Sequence, residues 1–223
     1  MNIIYKKIIN LNAQKKRILK NKYTREHEIQ LAARKIFFKN GFVASTIEEI
    51  SKQAKVSVGT IYRYYKNKED LYISLASSGT LKIGDGLIRL ESEIDHKTIK
   101  SGRDIIMKIF DIYYRYYQKD PDASLVFATL QSSLFAKVSA RNLQITNEAA
   151  RRNFSTTRRI IAKGKEQGFF KPHLSEHIVA DALWSTFLGL VIVEENKKRI
   201  TYKDHIYSTV SETFSLLAEA ICL

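Results

Sequence analysis

Apolar positions along this chain recur at helical spacing nearly throughout, and no long run alternates apolar and polar residues with the period of two that a half-buried strand needs. The clearest segment is Arg103 to Lys119. At 100° per residue, Ile105, Ile106, Ile109, Phe110, Ile112, Tyr113, Tyr116 and Tyr117 fall within one arc of about 160°, with Lys108, Asp111, Arg115 and Gln118 opposite. This pattern predicts a helix with one buried face. It should stop at Asp120-Pro121, because proline disfavours helical geometry in the residue before it and can open the next helix at its own first turn. Further helices are expected at about 122–137, 139–167, 175–195 and 203–221. The fold class is all-α, with no internal repeat and no low-complexity segment.

Two late segments differ. Between Ile178 and Val193, the residues Ile178, Val179, Leu183, Trp184, Phe187, Leu188, Leu190 and Val191 cover nearly the whole circumference, which predicts burial on all sides. In the segment after it, Ile206, Tyr207, Val210, Phe214, Leu217, Ala218 and Ile221 lie within an arc of about 120°. Little chain remains to cover both. A two-fold homodimer, the commonest closed assembly, would supply the cover. Leu183, Phe187, Leu190, Val191, Val210, Phe214 and Leu217 are the expected dimer interface.

From Thr24 to Tyr72 the pattern shortens into three small helices. The first puts Ile29, Ala32, Ala33, Ile36 and Phe37 on one side and ends at Asn40-Gly41, where glycine accepts the left-handed conformation of a C-terminal cap. Thr46 and Glu49 have capping-box spacing for the second, which buries Ile47, Ile50 and Ala54. A break at Lys55-Val56-Ser57 starts the third, with Ser57 as its cap, and this helix runs from Val58 to Tyr65. Two short helices joined by a tight turn form a helix-turn-helix, whose second helix enters the DNA major groove and presents side chains near its start to base edges. Val58, Gly59 and Thr60 are small enough for close approach. Tyr62 and Arg63 can reach bases or phosphates, and Lys66 adds a phosphate donor. Asn67 to Asp70 reads as another cap, which sets Lys68 at a helix N-terminus beside amides that suit a phosphate.

Charge agrees with this placement. The 223 residues carry 37 Lys and Arg against 23 Asp and Glu, a net charge of +14. Residues 1–72 hold 16 of the bases and 6 of the acids, net +10, leaving only +4 for residues 73–223. A clustered basic segment is the electrostatic footprint of a nucleic-acid binder. One cysteine, Cys222, excludes an intrachain disulfide and fits a reducing, cytoplasmic compartment. The N-terminal apolar residues come in pairs such as Ile3-Ile4 and Ile8-Ile9, short of the apolar run of a secretory signal. The window Ile178–Val193 is shorter than the roughly 20 residues of a spanning helix. No stable membrane association is expected.

The stretch 24–72 resembles the N-terminal DNA-binding domain of TetR-family transcriptional regulators. The resemblance is carried by Ala32-Ala33 and Phe37, Gly41-Phe42, Thr46-Ile47 with Glu49-Ile50, Val56-Ser57, Gly59-Thr60-Ile61-Tyr62, Tyr65 and Asn67-Lys68-Glu69. It covers a little over a fifth of the chain. It implies an all-helical homodimer whose divergent C-terminal domain binds a small molecule, and it implies that Thr46, Ser57, Thr60, Tyr62, Tyr65 and Lys68 contact DNA. Ser51 and Lys55 depart from the family, which often has Ala and Gly there. A left-handed lysine costs on the order of 1 kcal/mol. The expected layout is a basic extension over 1–22, a helix-turn-helix domain over 23–72 and a ligand-binding and dimerisation domain over 73–223. The extension leaves three readings open: an arm along the DNA backbone, a lengthened first helix, or a segment attracted to a membrane.

An aromatic cluster of Phe110, Tyr113, Tyr116, Tyr117, Phe127, Phe135, Trp184 and Phe187 could wall a pocket for a lipophilic or aromatic ligand, or be core. His173 and His177 have i, i+4 spacing, but Pro172 and a cap at Ser175 set His173 before the helix, so no metal site is expected. Arg151, Arg152, Arg158, Arg159, Lys163 and Lys165 read as a solvated basic face. No phosphate-loop, dinucleotide, zinc-protease or nucleophile-elbow motif is present, and no cofactor or enzymatic activity is expected. The expected function is a sequence-specific regulator at a near-palindromic operator, released by a small molecule. The alternative is a ligand-independent or architectural DNA-binding regulator. In a dimer, the two recognition helices should lie about 34 to 36 Å apart.

Overall fold

A computed structural model of the chain describes residues 13–119, 121 and 136–223. Among these residues there are eight helices: α1 (Ala13–Asn40), α2 (Ile47–Ala54), α3 (Val58–Tyr62), α4 (Lys68–Asp95), α5 (Gly102–Lys119), α6 (Ala140–Glu166), α7 (Glu176–Thr201) and α8 (Ile206–Ile221). The described residues contain no strand, and extended backbone pairs only at an isolated bridge between Phe170 and Cys222. The helix expected at 122–137 falls almost wholly outside the described residues. The chain divides into two compact units, Met1–Ser74 with Lys137–Ser139, and Leu75–Ala136 with Ala140–Leu223.

The first unit is built around α1, α2, α3 and the start of α4. Ile29, Ala32, Ala33 and Phe37 form the buried stripe of α1 and meet Ile47, Ile50, Ile61, Leu71 and Tyr72 in the core. Phe37 and Tyr72 pack edge to face with centroids 5.1 Å apart, a favourable arrangement of ring quadrupoles. α1 stops because Gly41 takes φ +79°, which glycine adopts without a Cβ clash. Of the readings of the basic extension, residues 13–22 follow the lengthened helix, and Arg17, Lys20 and Lys22 are exposed on it.

The second unit is a helical bundle. Its core gathers Ile83, Leu87, Leu90 and Ile94 of α4, the α5 face expected from periodicity, Ile160 and Ile161 of α6, and the inner faces of α7 and α8. α7 packs against α6 and α8, and α8 packs against α5. One expectation fails here. α7 is not buried on all sides within the chain, since Ile178 is 68% and Val193 48% exposed while Leu183, Phe187 and Val191 are fully buried. α7 is also longer than expected and is apolar and long enough to cross a membrane by length and composition alone. Its Val179–Glu194 face is part of the bundle core.

The basic face of α6 is partly exposed, as expected, and also paired. Arg152 bonds Asp85 at 2.7 Å, Arg159 forks onto Glu91 at 2.8 and 2.9 Å, and Lys163 bonds Asp95 at 2.7 Å. Three of the bases thus pair with acids that α4 offers at 85, 91 and 95, at a face that stays partly in solvent. The Arg159 guanidinium, with Lys163 assisting, holds the Glu91 carboxyl below the usual carboxylate range against the opposing effect of burial.

Candidate nucleic-acid interface and ligand cavity

The helix-turn-helix follows from its caps. Thr46 takes extended backbone geometry, its hydroxyl accepts the Glu49 N–H at 3.2 Å, and the Glu49 carboxylate accepts the Thr46 N–H at 2.9 Å. This reciprocal box fixes the start of α2. Lys55 ends α2 in left-handed geometry at φ 55° and ψ 44°, so the turn is made with lysine where glycine would be unstrained. Ser51, the other departure, is buried and donates its hydroxyl to the Glu48 carbonyl at 2.8 Å. Ser57 then caps α3, its hydroxyl accepting the Thr60 N–H at 3.1 Å.

These caps leave a short helix whose outward side chains are small at its start and larger at its end. Thr46, Ser57, Gly59, Tyr62, Arg63 and Lys66 are exposed, and Val58 and Thr60 are half-buried. Together they form one candidate surface for base edges and phosphates. Two expected members are elsewhere. Tyr65 is 2% exposed and belongs to the core, because the last turn after α3 folds it inward. The Lys68 ammonium donates to the carbonyls of Phe42, Val43 and Ser45 at 2.9, 3.2 and 2.9 Å and lies 4.6 Å from the Phe42 ring centroid. An ammonium has three N–H donors, and all three are engaged, so Lys68 clamps the α1–α2 connection instead of offering a phosphate ligand.

Asn67 caps α4, its side-chain oxygen accepting the Asp70 N–H at 2.8 Å. Asp70 is 1% exposed, and its carboxylate accepts the Lys66 N–H at 3.0 Å and both the N–H and hydroxyl of Ser139 at 3.0 and 2.6 Å. The residues 137–139, remote in sequence, are thereby built into the first unit.

In the second unit, a cavity of about 200 Å³ is lined by Thr80, Ile83, Tyr113, Ala150, Asn153, Phe154, Thr157 and Trp184. Tyr113 and Trp184 meet edge to face at 5.2 Å. Burial pushes the Tyr113 hydroxyl up to about 12, opposed by its bond with Thr157, so it stays a neutral hydrogen-bonding group at physiological pH. Of the expected ligand set, these two residues line the cavity. Phe110, Tyr116, Tyr117 and Phe187 are buried in the core instead, and Phe127 and Phe135 lie outside the described residues. The Tyr117 hydroxyl donates to Glu195. The six lining residues from α4 and α6, together with the α7 residue Trp184, come from helices far apart in sequence.

The expected dimer residues Leu183, Phe187, Val191, Val210 and Phe214 are each 1% exposed or less and complete the chain's own core. Leu190 and Leu217 are half-buried against it. His173 and His177 are exposed, and no group of three or more His, Cys, Asp and Glu side chains is placed for a metal among the described residues.

Residues 29–75, which span α1 to the start of α4, match the family model of bacterial regulatory proteins, tetR family. That segment, about a fifth of the chain, is similar to the corresponding segment of tetR-family regulators. The fatty acid metabolism regulator protein of Bacillus subtilis is 26% identical over 201 residues, 89% of this chain and 95% of that protein. The HTH-type transcriptional repressor NicS of Pseudomonas putida is 30% identical over 144 residues, 63% of each chain. Among solved structures, FadR from Bacillus subtilis in complex with stearoyl-CoA is similar with a TM-score of 0.63 at 24% identity, covering 84% of this chain and 96% of that one. The fatty acid degradation regulator FadR from Bacillus halodurans is similar with a TM-score of 0.66 at 22% identity, covering 87% and 94%. At these identities the structural likenesses carry the fold.

Proposed function

We propose that this protein is a tetR-family regulator, a cytoplasmic, dimeric repressor that leaves its operator when a lipophilic acyl ligand occupies the second unit. The observation that carries the DNA half is the capped α3, which exposes Gly59, Tyr62 and Arg63 beside half-buried Thr60 on the most basic part of the chain. The ligand half rests on the apolar cavity walled by Ile83, Phe154, Trp184 and Tyr113, with the hydroxyls of Thr80 and Thr157 as orienting groups. Acyl-CoA is the probe of choice because a relative of similar length is named a fatty acid metabolism regulator, and a similar solved structure, FadR from Bacillus subtilis, is in complex with stearoyl-CoA. For the dimer, the exposed stripe of α7 through Ile178, Ala182, Ser185, Gly189 and Val193 is the proposed interface, in place of residues buried in the subunit core. A second copy would cover its apolar members.

The DNA half is tested by fluorescence-anisotropy binding to the segment upstream of the protein's own gene and to a shuffled control at about 50 and 200 mM salt. Tight binding to the native segment at the higher salt, with loss of the shuffled one, supports the reading, because nonspecific binding is mostly electrostatic. Equal affinity for the two counts against it.

A further inference from the structure

The first unit contains a broad concavity of about 1080 Å³ on the side of α1. One wall is α1 itself, through Ile18, Asn21, Lys22, Thr24, Arg25 and Glu28. The facing wall is the left-handed turn and α3, through Lys55, Val56, Thr60, Arg63 and Tyr64. Four of these side chains are basic and one is acidic, and Glu28 is bonded to Arg25 at 2.8 Å, so the cleft has a net positive charge.

Its shape has a sequence cause. Positions 18, 21, 22, 25 and 28 share one face of a helix, and the stretch spans about 15 Å at 1.5 Å per residue. Had α1 begun near Tyr23, where the helix-turn-helix motif begins, the upper half of this wall would be missing. The helix is instead already formed at Ala13. The opposite wall owes one of its two cations to Lys55, the residue held in left-handed geometry where an uncharged glycine would serve the turn better. Thr60 belongs to this cleft and also to the candidate base-reading surface of α3, so the two surfaces are continuous.

We infer that this cleft grips a DNA phosphate strand bordering the major groove that α3 enters, with Lys22 and Arg25 on one side of the strand and Lys55 and Arg63 on the other. The inference rests on the reading of the chain as a DNA-binding regulator and extends the interface from the helix-turn-helix to the added turns of α1. Phosphate contacts fix register without reading sequence. The added wall therefore contributes affinity and salt dependence, while discrimination between operator and other DNA stays with α3. About 15 Å of helix exceeds the spacing of neighbouring phosphates on one strand, enough for more than a single phosphate.

The test compares Lys22→Ala with Lys20→Ala in the full-length protein. The two lysines lie on the same helix, both exposed, and only Lys22 lines the cleft. Both substitutions replace an exposed residue with the best helix former, so folding is retained, and circular dichroism checks it. Affinities for the selected operator and for shuffled DNA are measured from about 50 to 200 mM salt. Lys22→Ala should flatten the slope of log K against log salt by about 0.9 for each phosphate it no longer neutralises, weakening both DNAs alike, with the operator-to-shuffled ratio unchanged. Lys20→Ala should leave the slope near that of the parent. Equal slopes for parent and Lys22→Ala, or equal weakening in the two variants, would overturn the cleft. If the parent itself showed no preference for any DNA in a random-sequence selection, the regulator reading would fail, a result distinct from either of these.

Discussion

The two units place their candidate sites in different kinds of structure. In the first, each candidate side chain is set by a local device: the Thr46–Glu49 box, the left-handed Lys55, the Ser57 cap and the Asn67 cap all act within four residues of the group they position. In the second, the cavity exists only because α4, α5, α6 and α7 leave space between them. A site built from caps tolerates little local change, since removing a cap costs about 1 kcal/mol and misaims the helix it starts. A site built from packing tolerates substitution and can change its ligand by altering wall residues without loss of the fold. This contrast explains how a DNA-reading motif can match a family model over residues 29–75 while relatives of comparable length remain near 26% identical overall.

Damage confined to the first unit breaks the comparison most directly. Phe37 is 2% exposed and touches both Phe42 and Tyr72, so Phe37→Ala should cost about 3–5 kcal/mol. The single tryptophan, Trp184, belongs to the second unit and reports on it separately. Chemical denaturation should show DNA binding and helix content falling early while Trp184 emission keeps the parent midpoint. A common early midpoint would mean that the units do not hold their folds independently.

A smaller effect is expected at Lys68. Lys68→Met removes the donor shared by three carbonyls and should cost about 1–3 kcal/mol, read as a lower thermal midpoint. If Lys68 were a phosphate ligand instead, the variant would keep its midpoint and lose salt-dependent affinity. Lys55→Gly works in the opposite direction. Release of left-handed strain should stabilise the first unit by about 1 kcal/mol, while the removal of a cation from the cleft weakens DNA binding. Stability and affinity should therefore move apart in one variant.

The smallest effect belongs to the second unit and depends on pH. The folded state lowers the Glu91 pKa, so its contribution is fully present above the ordinary value near 4.5 and is lost as pH falls through the folded value. Glu91→Gln should lower stability by up to about 1 kcal/mol at neutral pH. Its denaturation midpoint should converge on the parent's as the solution is acidified. A gap that persists in acid would assign the loss to packing instead of charge.

The same contrast governs how much was legible in the sequence. The caps at Thr46 and Ser57, the stop at Gly41 and the left-handed Lys55 could be read because each depends on residues within a few positions. The buried face of α5 could be read because periodicity records burial. Periodicity does not record what does the burying. Leu183 and Phe214 showed the right faces for an interface, yet their partners are in the same chain. Tyr65 and Lys68 matched the motif, but their surroundings at Phe42–Ser45 and in the core give them structural roles. Thr80, Ala150, Asn153 and Thr157 carry no signal at all, since small and polar residues on amphipathic helices look alike until four helices are assembled. The pairing of Arg159 with Glu91 across 68 positions was hidden for the same reason, although the acids on α4 and the bases on α6 advance at matching helical intervals.

The central claim is that occupancy of the second unit's cavity and DNA binding by the first oppose one another. It is tested most directly by titrating stearoyl-CoA into the protein by calorimetry, alone and saturated with operator DNA, alongside operator binding with and without the same ligand. Linkage requires the two measured factors to be equal, and a coupling of about 1–3 kcal/mol corresponds to about 5- to 150-fold weaker binding in each direction. Reciprocal weakening within that range is the expected result. Stearoyl-CoA affinities that are identical with and without operator would contradict the claim.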